Sequence, residues 1–371
     1  MHRKAIKYRI YPTSEQIVFF AKSFGCCRKI YNLMLSDKIN SYEETKSFGN
    51  QTPAMYKKDY PYLKEVDSLA LTNVQLNLQK AFRNFHEKRC KFPKFKSAKH
   101  SRKSYTTNNQ NGTIHVTGNT IKLPKVGKLK AKIHRSAPKD WKLKSATVSL
   151  NSDGSYYVSV LYEYDKNVQK IEPDAKNAIG LDYKSDGLYM DSNGNKGSNH
   201  KYYRESHKKL AKAQRRLSKM KGSKKGEKKS KNYLKQLKKV NKIHCHIANQ
   251  RRDNLQKKST EIANQYDIVC VETLNLRAMS NKGFGNGKAT MDNGYGMFLE
   301  MLEYKLNDRG KFFVKVDKWY PSSQICNRCG QTHKMELSDR VYKCSCGYQC
   351  DRDINAAQNI LDEGLRMYIN M

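Results

Sequence analysis

Four cysteines near the C-terminal end of the sequence have the most specific spacing in the chain: Cys326-x2-Cys329 and Cys344-x-Cys346, with fourteen residues between the pairs. Two such knuckles can gather four thiolates around one tetrahedral Zn2+. Sulfur then fills every coordination position and leaves none for a reactive water, so the expected ion is structural. It would fold a segment too small to bury a core of its own. The second knuckle is tighter than the usual C-x2-C, and Cys350 is a spare thiol that could substitute for a ligand. Directly beyond it, Asp351-Arg352-Asp353 opens an apolar pattern at helical spacing, which places carboxylates beside the zinc segment.

Two further acids stand at comparable positions. Ala178-Ile179-Gly180-Leu181 reads as a buried strand ending in Asp182, and Ile268-Val269-Cys270-Val271 as another ending in Glu272. In a sheet with parallel central strands, the ends of such strands converge on one edge. Asp182, Glu272 and Asp353 together could hold a pair of Mg2+ ions about 4 Å apart, suited to activating water and stabilising the leaving oxygen of a phosphodiester. Asp351 is the rival to Asp353, because two residues apart near a helix start they point in different directions; Asp186, Asp191 and Asp317 are reserve candidates. His244 and His246 lie in a basic helical region and read as packing or phosphate contacts rather than acid–base groups. No local pattern supports a Ser-His-Asp or Cys-His nucleophile. The loop Gly283-Phe284-Gly285-Asn286-Gly287-Lys288 lacks the Lys-Ser/Thr ending of a phosphate-binding loop, so it reads as a lid or connection and nucleotide binding is rejected.

The composition names the partner class. The chain has 371 residues, with 72 Lys+Arg against 34 Asp+Glu, a formal charge of +38. Such an excess repels itself in a compact fold unless a polyanion neutralises it, which points to nucleic acid. No apolar run approaches the ~18–20 residues needed to span a bilayer, and Met1 to Thr13 lacks an apolar signal region, so a cytoplasmic protein is expected. Five of the ten cysteines fall between positions 326 and 350, a metal-site distribution rather than a disulfide framework.

The elements that must position these groups follow from periodicity. A short strand over residues 3–11 stops at Pro12, and Thr13-Ser14-Glu15-Gln16 is a capping box for a helix carrying Ile17, Phe20, Phe24, Cys27, Tyr31 and Met34 on one face. A second amphipathic helix runs from about Ser68 to Arg89. Phe92 to Tyr105 interleaves cations with Phe92, Phe95 and Tyr105, a pattern that can neutralise phosphates and stack on bases. Short strands then follow to Tyr162, two of them joined by the hairpin signature Asn151-Ser152-Asp153-Gly154. Residues 1–12 and 100–166 are expected to form one small β-barrel interrupted by the helices of 13–99. From His200 to Tyr266 the chain reads as a long cationic helical hairpin, its second stripe being Leu237, Val240, His244, Ile247 and Leu255. A helix from Tyr295 and a strand over Phe312 to Val316 lead into the cysteines.

At several of these residues the chain resembles TnpB, the RNA-guided endonuclease family encoded by insertion sequences and related to type V CRISPR effectors. The resemblance is nearly full length. It rests on Tyr11-Pro12-Thr13-x-x-Gln16, Phe92-Pro93-Lys94-Phe95-Lys96-Ser97, Gly180-Leu181-Asp182, Val271-Glu272-x-Leu274-Asn275, Tyr320-Pro321-Ser322-Ser323-Gln324-x-Cys326 and, most specifically, Asp351-Arg352-Asp353-Ile354-Asn355-Ala356-Ala357-x-Asn359-Ile360. It implies a multidomain α+β and α/β protein: a wedge-like β-barrel (1–12 and 100–166) with a helical recognition insertion (13–99), then an RNase H-like RuvC domain (177–321 and 351–371) holding an inserted zinc ribbon (322–350). It further implies a guide RNA from the transposon end, double-stranded target DNA beside a short adjacent motif, and Asp182, Glu272 and Asp353 as the catalytic acids. The tight Cys344-x-Cys346 knuckle is the one departure. The competing readings are a transposase that cuts and joins strands, a guided binder that does not cut, and a plain zinc-dependent nucleic-acid-binding protein.

Overall fold

The computed structural model describes residues 1–198, 200–224, 226–281, 287–336 and 339–370. Most of the glycine-rich loop, Gly283 to Asn286, lies outside them. The chain divides into two compact units, Met1–Lys166 and Asn167–Met371.

The first unit opens with β1 (His2–Tyr11), whose alternate residues Ile6, Tyr8 and Ile10 are buried. Pro12 ends it, since proline cannot continue the ladder. The Thr13 side chain then accepts from the Gln16 amide while the Gln16 side chain accepts from the Thr13 amide, and α1 (Ser14–Thr45) begins. Its buried stripe holds Phe20, Phe24, Cys27, Tyr31 and Met34, but Ile17, expected on that face, is exposed in the first turn. α2 (Ser68–His86) is capped by Asp67 and packs through Leu71, Val74, Leu78 and Phe82. The remaining strands are β2 (Lys103–Asn108), β3 (His115–Thr117), β4 (Thr120–Leu123), β5 (Gly127–Lys132), β6 (Lys142–Leu150) and β7 (Tyr156–Tyr164). Among the described residues they form a seven-stranded antiparallel sheet, ordered β2-β6-β7-β1-β5-β4-β3, with β2 and β3 at its edges. The basic stretch from Phe92 to Tyr105, expected to neutralise phosphates and stack on bases, ends inside β2. Tyr105 is 5% exposed and packs on Phe20 and Phe24, so it offers no stacking face, whereas Phe95 is 57% exposed.

The second unit contains β8 (Ala178–Tyr183), β9 (Tyr189–Asp191), α3 (Tyr202–Ser218), α4 (Lys231–Gln265), β10 (Ile268–Glu272), α5 (Leu276–Met279), α6 (Gly287–Asn293), α7 (Tyr295–Asn307), β11 (Phe312–Val316), β12 (Val341–Lys343), β13 (Gln349–Asp351) and α8 (Arg352–Ile369). Its sheet runs β11-β10-β8-β9, with β8, β10 and β11 parallel and β9 antiparallel to β8. The unbroken apolar run Ile268 to Val271 is what a strand covered on both faces requires. Val269 and Val271 join Leu255, Ile262, Phe298 and Leu302 on one face, while Ile268 and Cys270 join Val314, Val316 and Ile360 on the other.

α8 lies close to the sheet because a glycine stands at each of two contacts, Gly180 on the strand and Gly364 on the helix. A Cβ on Gly180 would reach the Leu361 amide at 2.8 Å and press on the Ala357 carbonyl, and one on Gly364 would strike the Cys270 side chain. The helices α3 and α4 pack together, with Gln236 Nε2 donating to the Ala213 carbonyl at 2.9 Å. Val240, Ile247, Leu255 and Ile262 are buried along α4, but His244, expected in that stripe, is exposed. No helix among the described residues is long and apolar enough to cross a membrane.

Candidate active site and metal centre

β8 and β10 are parallel neighbours with Leu181 opposite Val271, so the next residue of each, Asp182 and Glu272, stands at the same end of the sheet. Their carboxyl groups lie close enough for each to shift the other's ionisation. Glu272 Oε1 also accepts from the Tyr183 amide at 3.1 Å. Burial, followed by the charges of Glu272 and Asp353, pushes the Asp182 carboxyl well above the usual carboxylate range. Burial raises Glu272 too, offset in part by the Tyr183 amide and the neighbouring Asp182 side chain. Two carboxyl groups that share a buried site resist ionising together, and a cation between them would relieve that repulsion.

Asp353 sits in the first turn of α8, within the field of Asp182. Its Oδ2 is paired with the Lys184 ammonium, both side chains being largely buried, and Arg352 Nη2 lies 3.6 Å from Oδ1. The structure separates the two rivals. Asp351 Oδ1 accepts from the Asp353 and Ile354 amides, at 2.8 and 3.4 Å, and so serves as the helix cap. The reserve candidates are engaged elsewhere: Asp186 with Lys196, Asp191 with the Asn193 and Asn195 amides, and Asp317 with the Trp319 amide. His244 and His246 are exposed on α4.

Carboxylate oxygens are the hard donors a divalent cation takes, but the three acids are not gathered into one ligand group as the four cysteines are: Asp182 and Glu272 face each other, and Asp353 is held by Lys184. Tyr295 lies completely buried near Asp182 and Glu272, and its hydroxyl has no hydrogen-bond partner among the described residues. An orphaned hydroxyl there fits a site that admits an ion with its waters.

The sulfurs of Cys326, Cys329, Cys344 and Cys346 lie within 4.8 Å of one another, the only such group of potential ligands among the described residues. Cys326 and Cys346 are 3.7 Å apart and Cys329 and Cys344 3.5 Å. The Cys344 thiol is pulled down to about 6, chiefly by the Cys346 amide directed at it. Cys350 is not part of the quartet and lies on β13.

The knuckle is latched to α8. The Asn327 amide donates to Asn355 Oδ1 at 3.1 Å, and Asn327 Nδ2 donates to Asp362 Oδ2 at 2.6 Å and Asn359 Oδ1 at 3.2 Å. In return, Asn355 and Asn359 each donate to the Ile325 carbonyl at 2.7 Å. The cysteine segment thus grips the helix whose first turn carries Asp353.

Sequence reasoning passed over Lys184, Tyr295, His333 and the asparagine latch. His333 Nε2 lies 3.1 Å from Cys344 Sγ. Only the latch had a readable signal: Asn355 and Asn359, four apart, interrupt the apolar face of α8 and are both buried.

Three family models match the chain. One described as a helix-turn-helix domain covers residues 1–47, one described as a probable transposase covers 159–282, and a Cas12f1-like TNB domain covers 295–360. Where the first matches, the structure holds one strand and one long helix. A Streptomyces pristinaespiralis protein named "Putative RNA-guided DNA endonuclease" is 34% identical, over 98% of this chain and 90% of its own. The "Putative RNA-guided DNA endonuclease InsQ" of Escherichia coli (strain K12) is 28% identical, over 97% and 92%. Among solved structures, a chain from the "Cryo-EM structure of the Cas12f1-sgRNA-target DNA complex" aligns with a TM-score of 0.59 at 15% identity, covering 97% of this chain and 98% of that one. That likeness is one of fold: a multidomain α+β chain with mixed sheets and helices.

Proposed function

The chain belongs to the TnpB/OrfB family of IS605-type transposon proteins, and from that footing we propose that it is a Mg2+-dependent, RNA-guided DNA endonuclease. The observation that carries the reading is the carboxyl contact between Asp182 and Glu272 at the shared end of two parallel strands, with Asp353 in its field. In this reading these three acids hold Mg2+, which when bound supplies an activated water and neutralises charge at a phosphodiester. To hold the ion, Asp182 and Glu272 would both have to be ionised, and Asp353 would have to be released from the Lys184 ammonium that pairs with it. The unpartnered Tyr295 hydroxyl beside Asp182 and Glu272 would hydrogen-bond a water held by that ion.

Residues 177–321 and 351–371 act as an RNase H-like RuvC domain, residues 322–350 as a zinc ribbon, and residues 1–12 with 100–166 as a wedge-like barrel around the recognition helices of 13–99. Cys326, Cys329, Cys344 and Cys346 hold a structural Zn2+. Their 3.5 and 3.7 Å sulfur separations sit close to the ~3.8 Å edge of a tetrahedron with ~2.3 Å Zn–S bonds. The ion's work is mechanical: it stiffens the knuckle that grips α8 and thereby sets Asp353. The charge of +38 serves a guide RNA and its heteroduplex, held by backbone while base pairing supplies specificity.

The test is to purify the protein with its native RNA, sequence that RNA, and assay a matched DNA beside a randomised flank. Cleavage should need Mg2+ and the guide, and Asp182→Ala should abolish it while leaving RNA binding intact. Strand joining of transposon ends without RNA would instead establish a transposase, and guide-dependent binding without cutting would establish a repressor.

A further inference from the structure

Trp319 has no role in the reading above, yet it is the most exposed large aromatic side chain in the described residues, at 79%. Tryptophan is highly buried on average, which sets this ring apart, and its mounting gives the exposure its meaning. The ring is presented by a built turn. Asp317 Oδ1 accepts from the Trp319 amide at 2.8 Å, the Tyr320 amide donates to the Asp317 carbonyl at 3.2 Å, and Tyr320 packs into the core beside Val314 and Val316. Pro321 follows and stiffens the exit. Lys318 Nζ lies 4.3 Å from the ring centroid, placing a cation beside an aromatic face.

The position matters as much as the exposure. β11 ends at Val316, directly opposite Glu272, and Thr273 Oγ1 ties the two ends by donating to the Val316 carbonyl at 2.8 Å. Trp319 is three residues further. Neighbouring strands lie about 4.8 Å apart and three residues span at most ~11 Å, so the platform stands within roughly 16 Å of Glu272. At about 3.4 Å per stacked base, that is a few nucleotides along a bound strand.

We propose that Trp319 is a stacking platform for an unpaired base of the nucleic-acid strand led to the acids, with Lys318 beside it for the adjoining phosphate. It is a positioning residue: the base held on the ring fixes how far the strand advances toward Asp182 and Glu272. The role in positioning rests on the nuclease reading, but the stacking itself does not.

The chain has two tryptophans, and the other, Trp141, is stacked on Tyr164 at 4.2 Å. In a Trp141→Phe background carrying Asp182→Asn to prevent cutting, fluorescence therefore reports on Trp319 alone. Titration of the full chain with a twelve-nucleotide oligothymidylate should quench it, and an abasic sugar–phosphate strand of equal length should not. Trp319→Ala should weaken oligothymidylate binding ~5- to 150-fold and Trp319→Phe by much less, the range expected for one stacked base. Equal quenching by the abasic strand, or equal affinity of Trp319→Ala, overturns the proposal. Base-dependent quenching in a protein that never cleaves guided DNA would sink the nuclease reading and leave the platform standing.

Discussion

Replacing Asp182 with Asn should make the Mg2+-free protein more stable and Mg2+ useless to it. Two unit charges at the closest oxygen–oxygen approach of ~2.7 Å repel by about 6 kcal/mol at an effective permittivity near 20. That figure is a ceiling, because the pair resists ionising together and the site is partly open to water. The relief expected from a neutral amide is about 1–3 kcal/mol, the range for an uncompensated buried polar group. For a unit the size of residues 167–371 this corresponds to ~2–12 °C in Tm. The sign with pH follows from burial and the Glu272 charge raising the Asp182 pKa in the folded state. The native state then holds a proton the unfolded chain has lost, so the pair's contribution is best below the unfolded value near 4 and fades as pH rises through the raised folded value. The gap between Asp182→Asn and wild type should therefore widen as pH is raised from about 4. Magnesium reverses the order. At a hundredfold excess over Kd it stabilises the wild type by about 2.7 kcal/mol, or ~5–11 °C, and the variant by far less. Differential scanning calorimetry in Mg2+-free buffer and in saturating Mg2+ reads both, without chelator, which would strip zinc. A variant that is less stable without Mg2+ yet keeps the full Mg2+ shift would refute the reasoning.

Cys329→Ser should remove stoichiometric zinc, measured by elemental analysis, and release the asparagine latch, lowering Tm and cleavage together; retained zinc at one per chain would refute the quartet. Lys184→Met frees Asp353 of its competing cation, so the Mg2+ concentration for half-maximal binding, followed by calorimetric titration, should fall ~2- to 10-fold. Gly180→Ala drives a methyl into the backbone of α8 and should cost about 1–3 kcal/mol in urea unfolding, with cleavage lost through displaced Asp353 while RNA binding persists.

Several elements were legible because their signals are local. The Thr13–Gln16 box, the strands ending at Asp182 and Glu272, the strand over Phe312 to Val316 and the cysteine knuckles all depend on residues a few positions apart, where covalent geometry and periodicity decide the outcome. Where exposure depended on what lay across the fold, the local pattern misled. Tyr105 sits in a basic stretch but is covered by Phe20 and Phe24, and His244 matches the helical period yet faces water.

By itself the sequence determined the inventory: the strong positive charge, the four thiols, and acids at the ends of apolar strands. Only the tertiary structure decided that β8 and β10 are parallel neighbours, because strand pairing is a contact between segments about ninety residues apart, and no local period encodes it. The same holds for what neutralises the acids. Lys184 reaches Asp353 across 169 residues, and the Asn355–Asn359 latch joins the cysteine knuckle to α8, the helix that Gly180 and Gly364 let settle onto the sheet.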